Sequence, residues 1–526
     1  MSDLEKKRRV VPQCTCCSCE QDADSLGAAL TRRQFIATAG VTAAAGLALT
    51  SIAGAAAGTP KERSRVNPIA LPLKIQPVFN CEIYPRKPAT SWRVTGAIQN
   101  EQELHQEEAR IRRELGAMVS GADFPVELLP LATVQNVEQA AAVAKGKDQY
   151  DVLIMYAARR NVPVLEALAA AGKWNLMFVR HRSGPLYYMY IGAHTHFLRK
   201  RRDEFGQPGM GVHDIVVDDH NELLWRLRAL FGLKNTLGKR IVAVGGPGGW
   251  GAEGVQAPDH ARQSWKLDIR TVTYPELGER ITRARQDQAL VRQCGNEAHE
   301  YLKREGVTLE TASEFVEKAF VLCAVFRELL AETRTDAITI NNCMSTIMPI
   351  SETTACLPLT LLNDDGCLAF CESDFVAIPA GILLHYISGK PVFLCNPSLP
   401  HDGVLTVSHC TAPRRMDGAR LEPVRILTHY ESDYGAATKV QMKKGQAMTV
   451  LDPDFAGRRW LGFEAAILDT PFYPICRTQL DLQIRGDWER LAEEIRGFHW
   501  LAAYGGHLRE VGYAARKAGL EWLKIG

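Results

Sequence analysis

The sequence predicts an α/β protein in which two parallel-sheet domains precede a β-rich, antiparallel, barrel-like C-terminal domain. Three observations lead there. From about residue 72 to 335, short apolar runs (VELLPL, DVLIMYAA, NLMFVRH, DIVVDD, KRIVAVGG) alternate with helical stretches such as EQELHQEEARIRRELGAM and NELLWRLRALFGL. That alternation is the pattern of βαβ units and parallel sheets. After about residue 385 the runs PVFLCN, VLTVSHC, VRILTHY, ATKVQMK, AMTVLD, RRWLGFEAAIL and TQLDLQI are divided by Pro, Gly and Asp turns, the texture of antiparallel sheet or barrel. Finally, 526 residues exceed what one hydrophobic core organises. The expected segments are 1–65 (signal and linker), 66–235 and 236–350 (α/β domains) and 351–526 (the β-rich domain).

Taken in order, the first segment is a targeting sequence. TRRQFI (31–36) carries paired arginines ahead of the weakly apolar run ATAGVTAAAGLALTSIAGAAAG, with a small-residue site at Ala53, Gly54 and Ala55. The pattern resembles a twin-arginine (Tat) export signal, which implies contact with the Tat machinery and a periplasmic or extracellular destination. If uncleaved, the run would stay as a membrane anchor, although its Gly and Ala content makes a poor spanning helix. Cys14, Cys16, Cys17 and Cys19 precede the arginines in a spacing too tight for an ordinary tetrahedral metal site. Of the later cysteines, Cys367, Cys371 and Cys395 fall in apolar strand-like runs, where a buried thiol is the default.

Within the α/β region, the strand at Ile241 ends in GGPGGWG (245–251), with TVTYPEL read as the next strand. The glycine run lacks the Lys-Ser/Thr of a phosphate loop and the spacing of a dinucleotide fingerprint. It reads as a strand-to-helix turn at the end of a sheet where ligands bind. Arg180, His181 and Arg182, with Tyr187 and Trp250, suit either a sugar pocket or a solvated loop; His194 and His196 read as loop histidines. Two helices, DWERLAEEIRG and LREVGYAARKAGL, close the chain, with Asp487 as an N-cap and Glu489 in the first turn. The formal net charge of +2 favours a small neutral ligand and no nucleic acid.

The chemistry concentrates near LAFCESDFVAIPAGILLHYISGKPVFLCNPS (368–398). Glu372 and Asp374 are two positions apart in a strand-like run and so share one face. His409 ends VLTVSH and His499 follows a helix in FHWLAAYGG. Carboxylate and imidazole from separate elements can form an open site for Mn²⁺, Zn²⁺ or Mg²⁺; alone, each histidine would be an ordinary buried one.

The stretch ACLPLTLLNDDGCLAFCESDFVAIPAGILLHYISGKPVFLCNPS, with its Asn-Asp-Gly turn and Cys-Glu-x-Asp motif, resembles the L-fucose isomerase and L-arabinose isomerase superfamily, as does the closing FHWLAAYGGHLREVGYAARKAGLEWLKI. The likeness covers about 335–410 and 485–526. It implies Rossmann/flavodoxin-like N-terminal domains, a homo-oligomer with pockets completed by a neighbouring chain, a monosaccharide substrate and a divalent metal, Mn²⁺ above others. Residue by residue, it implies that Glu372 is both metal ligand and catalytic base, that His499 and His409 are ligands, and that Asn396 occupies a position where the family has an acid. An amide oxygen can still bind a metal but cannot shuttle a proton. Asp374, Asp402 or a metal-bound water would then partner Glu372, with Asp374 acting chiefly by orienting its neighbours. The expected activity is aldose–ketose isomerisation through an enediol. The alternatives are a non-catalytic sugar-binding or scaffold protein that keeps the fold, and a metal-dependent sugar epimerase, lyase or hydrolase.

Overall fold

The computed structural model describes residues 69–93 and 97–526. The export-signal pattern and the Cys14, Cys16, Cys17 and Cys19 cluster lie outside the described residues. Within them, no helix is long and apolar enough to cross a membrane.

The first sheet is wholly parallel. Leu73–Asn80 is flanked on one side by Val126–Leu128 and Ala132–Val134, and on the other by Val152–Ala157, then Trp174–Val179, then Ile215–Val217. Val152–Ala157 is buried at every position, because helices cover both faces of a parallel sheet and leave no solvent side to alternate against. The second sheet runs Leu368–Phe370, Ala337–Ile340, Arg240–Val244, Asp268–Val272, again all parallel. Two helices weld the sheets to the rest of the molecule. His220–Thr236 and Ile378–Ser388 approach so closely that a Cβ on Gly232 would meet Ile387 Cγ1 at 2.6 Å.

The C-terminal region is a closed six-stranded antiparallel barrel. Phe393–Pro397, Val404–His409, Thr478–Arg485, Arg459–Asp469, Ala447–Pro453 and Trp500–Tyr504 pair in that circular order, and the last returns to the first. Closure removes the unpaired edges that an open sheet would expose. Inward positions such as Phe393, Val407, Leu480, Phe463, Val450 and Trp500 fill the lumen and join one core with the helices around the second sheet. Glu521–Ile525 adds in parallel to Arg459–Asp469. A small separate sheet joins Val307–Leu309, Val424–His429 and Tyr434–Val440.

Local readings mostly follow the sequence. Asp487 caps Trp488–Glu494 by accepting the Arg490 N–H at 2.9 Å, with Glu489 in the first turn. TVTYPEL, expected as a strand, is one only to Val272. Thr273 then caps the helix Tyr274–Gln286 by accepting the Glu276 N–H at 3.3 Å, and Pro275 in the first turn suits a helix start.

Candidate functional site

Three adjacent strands of the second sheet end on the same edge, and each delivers a segment to one place. Arg240–Val244 leads into the glycine run, Ala337–Ile340 into Asn341, and Leu368–Phe370 into Cys371 and Glu372. The carboxyl edge of an open parallel sheet is where such folds bind ligands. Here the glycine run is docked onto the acidic segment: Gly248 N–H donates to Ser373 O and Phe375 N–H to Gly248 O, both at 3.0 Å. Gly249 has to be glycine, since a Cβ there would collide with Gly254 O.

The strand expected through Glu372 and Asp374 stops at Phe370. Glu372 (φ 64°) and Ser373 (φ 47°) are both left-handed, a conformation that costs a non-glycine residue about 1–3 kcal/mol and that clusters at working sites. Glu372 and Asp374 therefore part company instead of sharing a strand face. Asp374 turns inward, fully buried, and accepts from Val376 N–H (3.0 Å), Trp250 N–H (3.3 Å) and His499 Nδ1 (2.8 Å). Glu372 keeps 19% of its side-chain exposure, enough to be reached from outside.

Opposite these acids stands one end of the barrel. His409 ends its strand and presents Nε2 to Glu372 Oε1 at 3.4 Å, while its Nδ1 meets Thr411 Oγ1 at 3.0 Å. His499, just before Trp500–Tyr504, presents Nε2 to Glu372 Oε2 at 3.3 Å. Neither Nε2 has a hydrogen-bond partner, although both are buried. Asn396 occupies the strand between the two histidine-bearing strands. It pairs with Ser408, next to His409, and Cys395 pairs with Trp500, so the register carries Asn396 to the level of His499. Both polar atoms of its buried amide are also unpartnered. Such orphans are rare, because each costs roughly 1–3 kcal/mol when nothing satisfies it. Trp250 roofs the centre, stacked on Phe498 (4.3 Å between centroids) and edge-on to His499 (5.7 Å).

The electrostatics follow. Burial pushes Glu372 up, but the neighbouring charges of His499 and His409 outweigh it and hold the carboxyl at about 2. Burial pushes His499 down, while Glu372 and Asp374 lift it to about 9.

The structure thus gathers Glu372, His409 and His499, places Asn396 between the two histidine strands and Asp374 behind His499. It does not bring in Asp402, which is exposed beside His401. Arg180 and Tyr187 are used elsewhere, on Glu107, and His181 stacks on Tyr190. His194 and His196 lie on a π-helical turn at 193–198, with no metal group around them among the described residues. One neighbour was not expected. Cys371, Glu372 and His409 offer ligand atoms that all lie within 4.8 Å of one another. Strand alternation argues against this, because it sends neighbouring side chains to opposite faces.

No protein-family model matches the chain, and no curated protein matches it. Among solved structures, it is similar to a probable maltose operon transcriptional repressor from Staphylococcus areus (11% identity, 57% of this chain and 93% of that one, TM-score 0.15). It is also similar to a carbohydrate transporter from Acidothermus cellulolyticus 11B in complex with myo-inositol (12% identity, 61% and 89%, TM-score 0.16). Scores that low carry no argument about fold or function.

Proposed function

We propose that this chain is an exported, metal-dependent sugar isomerase-like protein that interconverts an aldose and a ketose through an enediol, with Glu372 as the base. The observation that carries this reading is the convergence of Glu372, His409 and His499 from three separate chain segments, with both imidazole Nε2 atoms buried, unpartnered and turned to one carboxylate. The main path of the first sheet follows the flavodoxin-like order 2-1-3-4-5 of doubly wound folds, and the four-stranded second sheet follows its first four places.

The residues present fit a divalent cation: one anionic carboxylate facing two imidazoles, and an amide oxygen, with the imidazole Nε2 atoms and the amide making no hydrogen bond. Glu372, His409 and His499 would hold it, with Asn396 alongside, and Mn²⁺ is the ion the resemblance implies. When bound, such an ion polarises a carbonyl and its neighbouring hydroxyl and so eases proton loss from the hydroxyl-bearing carbon next to the carbonyl.

The rest is the work of the side chains. Glu372 is ionised throughout the neutral range, the state required of a base, and gains basicity as His499 gives up its proton. Asn396 cannot carry a proton, so a single carboxylate takes it from one carbon and returns it to the next on the same face. Asp374 fixes His499 by its Nδ1, which aims Nε2 at Glu372. Trp250 and Phe498 offer an aromatic wall against the C–H face of a sugar ring.

The test is a panel of pentoses and 6-deoxyhexoses with purified protein supplied with Mn²⁺ or Zn²⁺. At least one aldose–ketose pair should interconvert, and Glu372→Gln should lower the rate by about 10³-fold or more with an unchanged circular dichroism spectrum. No turnover with either ion would sink the reading. Activity appearing only in Asn396→Asp would instead identify a sugar-binding relic.

A further inference from the structure

Cys371 directly precedes Glu372, and consecutive residues of a strand point apart. The strand ends at Phe370, however, and the left-handed turn at Glu372 (φ 64°) and Ser373 (φ 47°) breaks the alternation. The result is that Cys371 Sγ, a Glu372 carboxylate oxygen and a His409 ring nitrogen lie within 4.8 Å of one another. His409 Nε2, which faces Glu372 Oε1 at 3.4 Å, makes no hydrogen bond although its side chain is only 4% exposed, so the grouping does not rest on the cysteine alone.

We propose that Cys371 is a ligand of the metal centre, and that the centre is consequently a mixed sulfur–nitrogen–oxygen site selecting zinc over manganese. This rests on the reading of the Glu372 centre as a metal site. The donor chemistry carries it. Manganese is suited by carboxylate, carbonyl and water oxygens, whereas thiolate and imidazole favour zinc. This chain has an amide, Asn396, where a second carboxylate would harden the set, and it adds a sulfur beside the only carboxylate in the grouping. It also explains the turn: two left-handed non-glycine residues in succession are what bring both side chains to one point. On binding, the Cys371 thiol loses its proton to solvent as the sulfur–metal bond forms, and no electron changes hands.

The test uses the full chain and reads spectra rather than turnover. Cobalt(II) added to the metal-free protein should give a saturable near-ultraviolet sulfur-to-cobalt charge-transfer band at one equivalent. Zinc should displace the cobalt, and manganese in large excess should not. Cys371→Ser should abolish the band and weaken zinc by about 100-fold or more while changing manganese by less than about threefold. Cys367→Ser, another buried thiol of the same strand region, should leave the band intact. If Cys371→Ser fails to fold, zinc-edge X-ray absorption of the unaltered chain should still show a sulfur scatterer at about 2.3 Å. Cobalt binding without the band, or displacement by manganese, overturns the sulfur ligand and leaves the metal site standing. No binding of any of the three ions overturns both.

Discussion

The first and second parallel sheets each end, on the carboxyl edge, in a buried polar cluster, and the two clusters follow opposite rules. At the first sheet Arg180, wholly buried after Trp174–Val179, bonds Glu107 and Glu114, and Tyr187 donates to the same Glu107 oxygen at 2.6 Å. The other Glu107 oxygen faces Arg110 at 3.1 Å, and His220 meets Glu114 and Tyr156. Glu107 Oε2, Arg110 Nε and the Asn80 amide oxygen make no hydrogen bond there, but each charge of the cluster meets its opposite. At the second sheet, His409, His499 and Asn396 surround Glu372 with donor atoms left over. Two edges of the same topology therefore serve different ends. A buried charge network tied by short hydrogen bonds at its centre holds structure, whereas one whose donors converge on a carboxylate without hydrogen-bonding it suits a ligand.

The sharpest way to break this contrast is to remove one acid from each cluster. Glu107→Ala takes one of two carboxylates from the buried Arg180 guanidinium and the acceptor from Tyr187, and should cost about 3–5 kcal/mol in denaturant unfolding. Glu372→Gln should cost less, about 1–2 kcal/mol, since its carboxylate is partly exposed, although His409 and His499 lose the charge they face. Equal losses would erase the distinction.

A second comparison sets a satisfied histidine against the two unsatisfied ones. His385 is buried with Nδ1 bonded to Lys390 O at 2.9 Å, and burial lowers it to about 4. A depressed imidazole contributes stability that is fully present above its ordinary value of 6.5 and is lost as pH falls toward 4. The pH profile of His385→Gln should therefore lack a loss on the order of 3 kcal/mol that the unaltered chain shows across that window. Parallel profiles would contradict the assignment.

Filling the open cluster should stabilise the molecule in proportion to ligand. At a free metal concentration of about 100 times Kd, unfolding should cost about 2.7 kcal/mol more. Calorimetric scans should show that gain in the unaltered chain and none in Glu372→Gln. The smallest effect belongs to Asp374→Asn, which removes the anionic acceptor that orients His499 and should weaken metal binding by about 10–100-fold in a titration.

How much of this was legible in the sequence depends on range. The α/β alternation, the β-rich end and the Asp487 cap are local patterns, and short-range physics writes them plainly. Glu372, His409 and His499 stood out as residue types, but only tertiary structure brings 372, 409 and 499 together. Periodicity misplaced two things. It extended the strand through Asp374, because the run is apolar on both sides and nothing in ESD announces two left-handed residues. It also left Cys371 as an ordinary buried thiol of an apolar run, with nothing to place it beside Glu372 and His409. TVTYPEL failed for a different reason: Thr273 and Pro275, read as strand residues, are a cap and a first-turn proline. Arg180 and Tyr187 suited a sugar pocket or a solvated loop equally, and the buried ion pair they form was not legible because the partner, Glu107, lies more than seventy positions away.

The divalent ion proposed for the second cluster would sit against Glu372. Anomalous diffraction at the metal edge, from a crystal of the metal-loaded chain, tests it most directly. A single strong peak is expected between the Glu372 carboxylate and His409 Nε2, within about 2.0–2.3 Å of each. A map with no peak there, or with the ion bound elsewhere and the Glu372, His409 and His499 side chains unchanged, would contradict it.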